Sequence, residues 1–538
     1  MKKKFPAFFR SLHRLAAIYD SKTAEAKYSL LLQLSKLPLP AGKIFSAYYN
    51  LLLFLCAYPD NRRVKNIAEK ELKRIAAYAR KNAARLPYNE GIPFTYILTR
   101  FSPDFLRWLD SHEDLNVEFD SFYEPGLTLN EVLGITLPTL LKAETSAGWT
   151  NEDLLEQIGI SKQHYIPFLL GQIETLKDKP LLKELLSDKI SAYVKLHPRN
   201  VKFSKANNRI VVKDIFYHYE LLKKFEALQL IHEPLSGPQI PDEKEKAALY
   251  KCIRNAMALT VREIDPATFL NAETIQCYEL GRGFQIAIYS MLPERQLPLE
   301  TYFGFTFFKN GLPVSYGGVW SFGKLARLGL NIFEPFRNGE SGYLLCQLIR
   351  VFSQALGHTY FEVEPYQFGL DNPDGIKSGA FWFYHKFGFR PVDKKLYKLA
   401  ADEHHKIKTR KNYRSSEKTL LRFTESNIAL NLLQEPSPPD VLDINKKVLS
   451  AIKKTWKDNY AAARQNAIRQ FCQKTGLDTS IILSPVQQNT LEEIALWVMA
   501  YKIDQPEKLS IMKEMILLKT SNDNVYQERL LQFFSLLE

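Results

Sequence analysis

A chain of 538 residues, 46% apolar and 24% charged, is too long for one ordinary core and too apolar for general disorder, so two to four globular domains are expected. Its formal net charge of +13 favours anionic partners such as nucleic acid, acidic lipid or a phosphorylated cofactor, although Lys and Arg are spread along the chain rather than gathered in one block. Cys56, Cys252, Cys277, Cys346 and Cys472 are far apart, which excludes a Cys-x-x-Cys metal or redox pair and fits a reducing compartment better than a disulfide framework.

At the N-terminus, Met1-Lys2-Lys3-Lys4-Phe5 has the charge of a secretory leader, but Pro6, Arg10, His13 and Arg14 interrupt any apolar core that would follow. The longest apolar run, residues 47–58, is too short to span a bilayer, so the expectation is a cytoplasmic protein without a membrane span. Residues 1–200 read as a helical N-terminal domain. Ile44, Tyr48, Leu51, Leu52 and Leu55 recur at helical spacing, and Val64, Ile67, Leu72 and Ile75 repeat the pattern. Residues 128–141 have the same character, Thr150 caps a further helix with Asp153 three residues on, and Pro180 opens the next. Over 201–241 the texture predicts a small hairpin about Ala206-Asn207-Asn208, a helix over 215–228, and a linker marked by Pro234, Gly237, Pro238 and Pro241.

Residues 242–400 begin with an amphipathic helix over 243–258 and then turn strand-rich. Strands are predicted over 274–279 and 284–290 about Gly281-Arg282-Gly283, and over 302–308 and 314–320 about Asn310-Gly311, the strongest short hairpin signal. A fifth strand follows over 328–336, then the polar turn 337–342, a helix over 343–356, a strand over 360–363 and a loop over 371–375. Ser378 caps a helix that Gly388 ends, and residues 390–399 have a strand-like composition. Residues 401–439 read as a basic and Pro-rich linker, from Lys406-Ile407-Lys408-Thr409-Arg410-Lys411 to Pro436-Ser437-Pro438-Pro439, and residues 440–538 as a helical C-terminal domain. The adjacent pair His404-His405 does not share a helix face, so no metal pair is expected there.

Two local patterns carry a resemblance. Arg337-Asn338-Gly339-Glu340-Ser341-Gly342 before Tyr343-Leu344-Leu345 resembles the Arg-Gly-x-Gly-x-Gly turn of the GNAT acyltransferase superfamily, and Ala380-Phe381-Trp382-Phe383-Tyr384-His385-Lys386-Phe387-Gly388-Phe389 resembles that family's Ala-x-x-x-Tyr-x-x-x-Gly-Phe segment. The order of elements is similar too, over about a quarter of the chain. The fold class implied is a multidomain α+β chain, with a GNAT-like mixed-sheet domain flanked by N-terminal and C-terminal α-helical regions. A strand that stops and turns into a helix leaves backbone N–H groups unpaired, and with the helix dipole these form an anion site.

The resemblance implies acyl-CoA or acetyl-CoA as co-substrate and no metal. Arg337, Asn338, Gly339, Ser341 and Gly342 would hold its pyrophosphate. Lys377, where family members often have Asn, would meet a phosphate, and Tyr384 would protonate the departing thiolate. Glu334 is the foremost candidate for general base, with Glu362 and Glu364 behind it. The implied reaction is N-acyl transfer to an amine acceptor that the residues do not identify. Asn338 and Glu340 depart from the family, because glycine is usual at both places and a carboxylate beside a pyrophosphate is repelled by it. Two other readings therefore stay open: a catalytically inactive GNAT-like scaffold or protein-binding module, and a nucleic-acid-binding protein acting through its basic surface.

Overall fold

The computed structural model describes residues 4–123, 128–138, 141–142, 148–179, 182–183, 185–186, 192–478 and 483–536. They form two compact units, Met1–Glu220 with Lys251–Glu263 and Asn310–Pro313, and Leu221–Tyr250 with Ile264–Lys309 and Val314–Glu538. No helix among the described residues is long and apolar enough to cross a membrane.

The first unit starts with helices α1 (Lys4–Leu15), α2 (Ser21–Ser35), α3 (Lys43–Ala57) and α4 (Arg62–Asn82). The long apolar run lies in α3, buried from Leu51 through Ala57, which is why it is apolar on every face. Two deep polar tips are satisfied, since the Tyr48 hydroxyl donates to Glu71 at 2.9 Å, with Glu71 held by Arg74, and the Tyr49 hydroxyl donates to Gly91 O at 3.1 Å. Then follow β1 (Ile97–Thr99), α5 (Pro103–Asp110), β2 (Leu115–Phe122), α6 (Leu129–Thr136), α7 (Asn151–Gln157), α8 (Tyr165–Glu174) and β3 (Ala192–Pro198). The three strands form an antiparallel sheet in the order β1-β3-β2, so this unit is not purely helical. Ala192, Val194 and Leu196 face its core in alternation, the ordinary period of a half-buried strand. Thr150 caps α7 as expected, accepting from the Asp153 N–H, whereas Pro180 lies outside the described residues.

The hairpin and helix expected over 201–228 are replaced by turns and irregular chain as far as the short α9 (Ala227–His232). Val211, in the stretch Ile210-Val211-Val212 whose β-branched residues favour a strand, is 98% exposed, so it has no apolar face to bury. Next come α10 (Glu243–Leu259) and α11 (Asp265–Thr268).

The second unit is built on strands β4 (Gln276–Glu279), β5 (Phe284–Tyr289), β6 (Thr301–Lys309), β7 (Leu312–Phe322), β8 (Leu325–Ile332), β9 (Tyr360–Val363), β10 (Arg390–Pro391) and β11 (Ile428–Asn431). They form one mixed sheet in the order β10-β11-β9-β8-β7-β6-β5-β4. Both turn signals hold: Arg282 has φ 53°, and Asn310 and Gly311 have φ 47° and 84°, the left-handed pair that a tight hairpin of this hand requires. β8 and β9 run parallel, joined by α12 (Ser341–Leu356). Its Phe352 packs on Phe303 and Phe305 of the sheet.

Beyond β9 lie α13 (Pro373–Ser378), α14 (Ala380–Lys386), α15 (Lys394–Thr409) and α16 (Glu417–Phe423). Three boundaries differ from expectation. Ser378 is the last residue of α13 rather than a cap, and Gly379, at φ 68°, makes the left-handed break into α14. Strand stops at Pro391, because Asp393 accepts the N–H groups of Lys395 and Leu396 and starts α15. The basic stretch from Lys406 is therefore the end of a helix, and β11, far downstream, is the strand inserted between β9 and β10.

Finally α17 (Val441–Trp456), α18 (Tyr460–Thr475), α19 (Pro485–Tyr501), α20 (Pro506–Leu518) and α21 (Asp523–Ser535) enclose a core of Trp497, Met512, Met515, Leu530 and Phe533. This core is continuous with Leu299 and Phe322 from the sheet region. The chain is thus α+β, with a mixed eight-stranded sheet and helices towards both ends.

Candidate functional site

The parallel pair sets the geometry. β8 and β9 are laddered only from Leu325 to Arg327 against Tyr360 to Glu362, after which β8 continues to Ile332 while β9 ends at Val363. A Cβ on Gly329 would lie 3.1 Å from the Gln367 side chain, so the small residue leaves room for that amide alongside β8. Past Ile332 the chain makes one 3-10 turn, Glu334–Phe336, and reaches the N-terminus of α12.

The turn itself is held by its own backbone and by short side-chain bonds. Gly339 N–H donates to Phe336 O at 2.9 Å, the Ser341 hydroxyl to Arg337 O at 3.2 Å, and Arg337 Nε to Ile332 O at 3.3 Å. Arg337 and Asn338 are exposed, and so is Glu334. Gly342 does not need a left-handed backbone. A Cβ there would lie 2.3 Å from the Phe387 ring, so this glycine is small in order to seat the end of α14 on the start of α12.

Glu340 turns inward. Its side chain is fully buried, and Oε1 accepts from Arg282 Nη2 at 2.6 Å and from the Leu222 N–H at 2.8 Å. Oε2 accepts from Lys309 Nζ at 3.0 Å. Lys309 is itself buried, lying 3.8 Å above the Phe284 ring and donating also to Arg282 O. Desolvation pushes the Lys309 ammonium pKa down, and the Glu340 carboxylate opposes that shift. Because the carboxylate is committed to two cations, it makes no cap on the amides of α12. The like-charge conflict that Glu340 raises in the sequence is thus answered by geometry. Nothing in the spacing of Arg282, Lys309 and Glu340 marks them as partners, since each lies on a different element.

The remaining predicted residues divide. Tyr384 is 4% exposed, its ring edge-on to Phe383 and Phe389, and burial alone pushes its hydroxyl pKa up. The phenol is therefore protonated at neutral pH. Phe387, one turn on, is the residue that covers Gly342, so Tyr384 sits on the helix docked against the turn. Lys377 is elsewhere, on α13, lining a recess that includes none of residues 334–343. Glu362 is committed to Arg327 at 3.1 Å and to the Asn427 amide at 3.2 Å, which makes it a structural carboxylate. Glu364 is exposed at the start of a 3-10 turn. Cys346 is fully buried and its thiol is pushed up to about 12, which makes it inert. His385 faces away from Tyr384, towards Trp382 and His404.

Set beside known protein families, curated proteins and solved structures, the chain matches none.

Proposed function

We propose that the second unit carries an acyl-CoA-dependent acyltransferase site, transferring an acyl group to an amine, with the donor laid across the turn at Arg337. The observation that supports this most is the parallel β8–β9 pair, hydrogen-bonded over three residues before β8 runs on alone into a helix N-terminus. In this reading an extended pantetheine-like arm would lie beside β8 beyond Arg327, in place of the Gln367 side chain that now stands near Gly329. The amides of α12, not taken by a side-chain cap, face the place where a pyrophosphate would bind. Arg337 supplies a full charge with fork geometry, and Asn338, Gly339, Ser341 and Gly342 complete the turn. Most of the catalysis would come from holding the acceptor amine against the thioester. Tyr384, protonated, would give its proton to the departing thiolate, and Glu334 would take the proton from the amine.

Titration with acetyl-CoA tests the binding half. Micromolar to millimolar affinity is expected, weakened at least tenfold in Arg337→Ala; no heat and no rise in melting temperature at millimolar ligand would sink the reading. Tyr384→Phe should lower thiol release from acetyl-CoA while leaving its binding in place.

A catalytically silent scaffold is the second reading. It is favoured by the deep burial of Tyr384 and by Glu334, which is exposed and in no ion pair among the described residues. In that case acetyl-CoA binds, if at all, without any thiol release.

A further inference from the structure

Between α13–α14 and α15–α16, within the second unit, lies an open cleft of about 860 Å³. Five cations line it, Lys377, Lys386, Arg390, Lys408 and Arg414, and no carboxylate does. None of the five is in an ion pair among the described residues. Lys386 donates to the Lys223 carbonyl at 3.4 Å and lies 5.3 Å from the Phe387 ring centre, and Arg390 donates to the carbonyls of His385 and Phe389, both at 2.7 Å. Glu403, a buried acid on α15, is already held by Lys406, Tyr413 and Ser415. The cleft therefore carries a surplus of positive charge that no acid among the described residues compensates.

This arrangement follows from two helix faces. Trp382, His385 and Lys386 stand at i, i+3 and i+4 on α14, and His404, Ile407 and Lys408 at the same spacing on α15. Where the faces meet, the His385 and His404 rings are 4.8 Å apart and Trp382 is stacked near His404 at 6.1 Å. Burial and the surrounding cations hold His385 neutral, its pKa lowered to about 4, so the charge of the cleft comes from Lys and Arg. The buried Trp382 Nε1–H has no acceptor among the described residues. An aromatic wall thus stands beside a group of cations that are in no ion pair among the described residues.

We propose that this cleft binds a small organic polyphosphate, an aromatic base carrying two or more phosphates in the manner of a nucleoside triphosphate. Five cations match the three to four negative charges of such a molecule better than the roughly two of a single phosphate. The volume is that of a small-molecule pocket. The rings of Trp382 and Tyr413 offer surfaces on which a base can stack. This site is separate from the turn at Arg337 and does not depend on the acyltransferase reading.

Calorimetry on the full chain, with ATP, inorganic triphosphate, acetyl-CoA and a twelve-residue oligothymidylate as separate titrants, tests the proposal. ATP should bind at low salt more tightly than triphosphate, weaken as salt rises, and lose at least tenfold in affinity in the double variant Lys408→Glu, Arg414→Glu. Both side chains are exposed, so the variant should keep its melting temperature. Any binding of acetyl-CoA should survive that variant unchanged, which separates this site from the one at Arg337. No ATP binding, ATP binding indifferent to the double variant, triphosphate binding as tightly as ATP, or binding of the oligonucleotide alone would each overturn it.

Discussion

Glu340 shows how one side chain can reverse what its position suggests. In sequence it stands where a carboxylate would repel an anion, and in the fold it is buried between Arg282 and Lys309. Removing one member of such a cluster leaves the others charged and without a partner. Glu340→Ala should therefore destabilise the protein by about 3–5 kcal/mol, read by urea denaturation, whereas an exposed neighbour such as Asn338→Ala should change stability by less than about 0.5 kcal/mol. His358 offers a second test. It is fully buried, with Nε2 near Ser321 and Nδ1 near Gly323 O, and its pKa is lowered to about 4 by burial. Between its folded value and 6.5 the unfolded chain binds the proton and the folded one does not. Stability from this group is thus complete above pH 6.5 and is lost as pH falls towards 4, by up to roughly 3 kcal/mol. His385 acts in the same direction. Denaturation curves at pH 7 and pH 4.5 should show the loss, and His358→Gln should flatten it; an unchanged slope would mean that His358 is protonated in the fold.

At the scale of elements, the site depends on how two helices meet the sheet. The close β7–β8 pairing and the seating of α14 on α12 both need glycines. Gly317 lies in β7 opposite Leu330 of β8, and a Cβ on it would stand 1.8 Å from the Gly329 carbonyl. Gly342 admits the Phe387 ring. Gly342→Ala should cost about 1–3 kcal/mol by overpacking, and should also weaken acetyl-CoA binding if the turn holds the donor. A parallel melt and titration separate the two effects. Much at this scale was legible. The Asn310-Gly311 and Gly281-Arg282-Gly283 turns, the strands around them, and the helix after the polar turn lie within a few residues of expectation. The alternation Leu115-Asn116-Val117-Glu118-Phe119-Asp120 was a usable strand signal for β2, masked by the helical texture on both sides. β11 was not legible: it has four residues between two helices, and its place in the sheet depends on a partner about 65 residues away, Ile428 on Val363.

Across the second unit, the sheet and the C-terminal helices share one core. Phe322 packs on Trp497 and Phe534, and the Gln527 amide donates to the carbonyls of Gly323 and Leu356. Residues 440–538 are thus not an independent appendage. A chain ending at Pro439 should expose Leu299 and Phe322 and be recovered mainly as aggregate. Recovery of that truncation as a monomer with a cooperative melt would contradict the shared core.

The sequence alone determined the properties that depend on near neighbours: hairpin turns needing positive φ, the cap Thr150, and the switch from helical to strand period near residue 274. Only the tertiary structure decided what depends on distant partners. It turned Glu340 inward, gave Glu362 to Arg327, buried Tyr384, and drew five cations from α14, α15 and their flanks around one cleft. Local propensity is set by a residue and its few neighbours, whereas burial and ion pairing depend on which distant segments pack together, and that is absent from any short window of sequence.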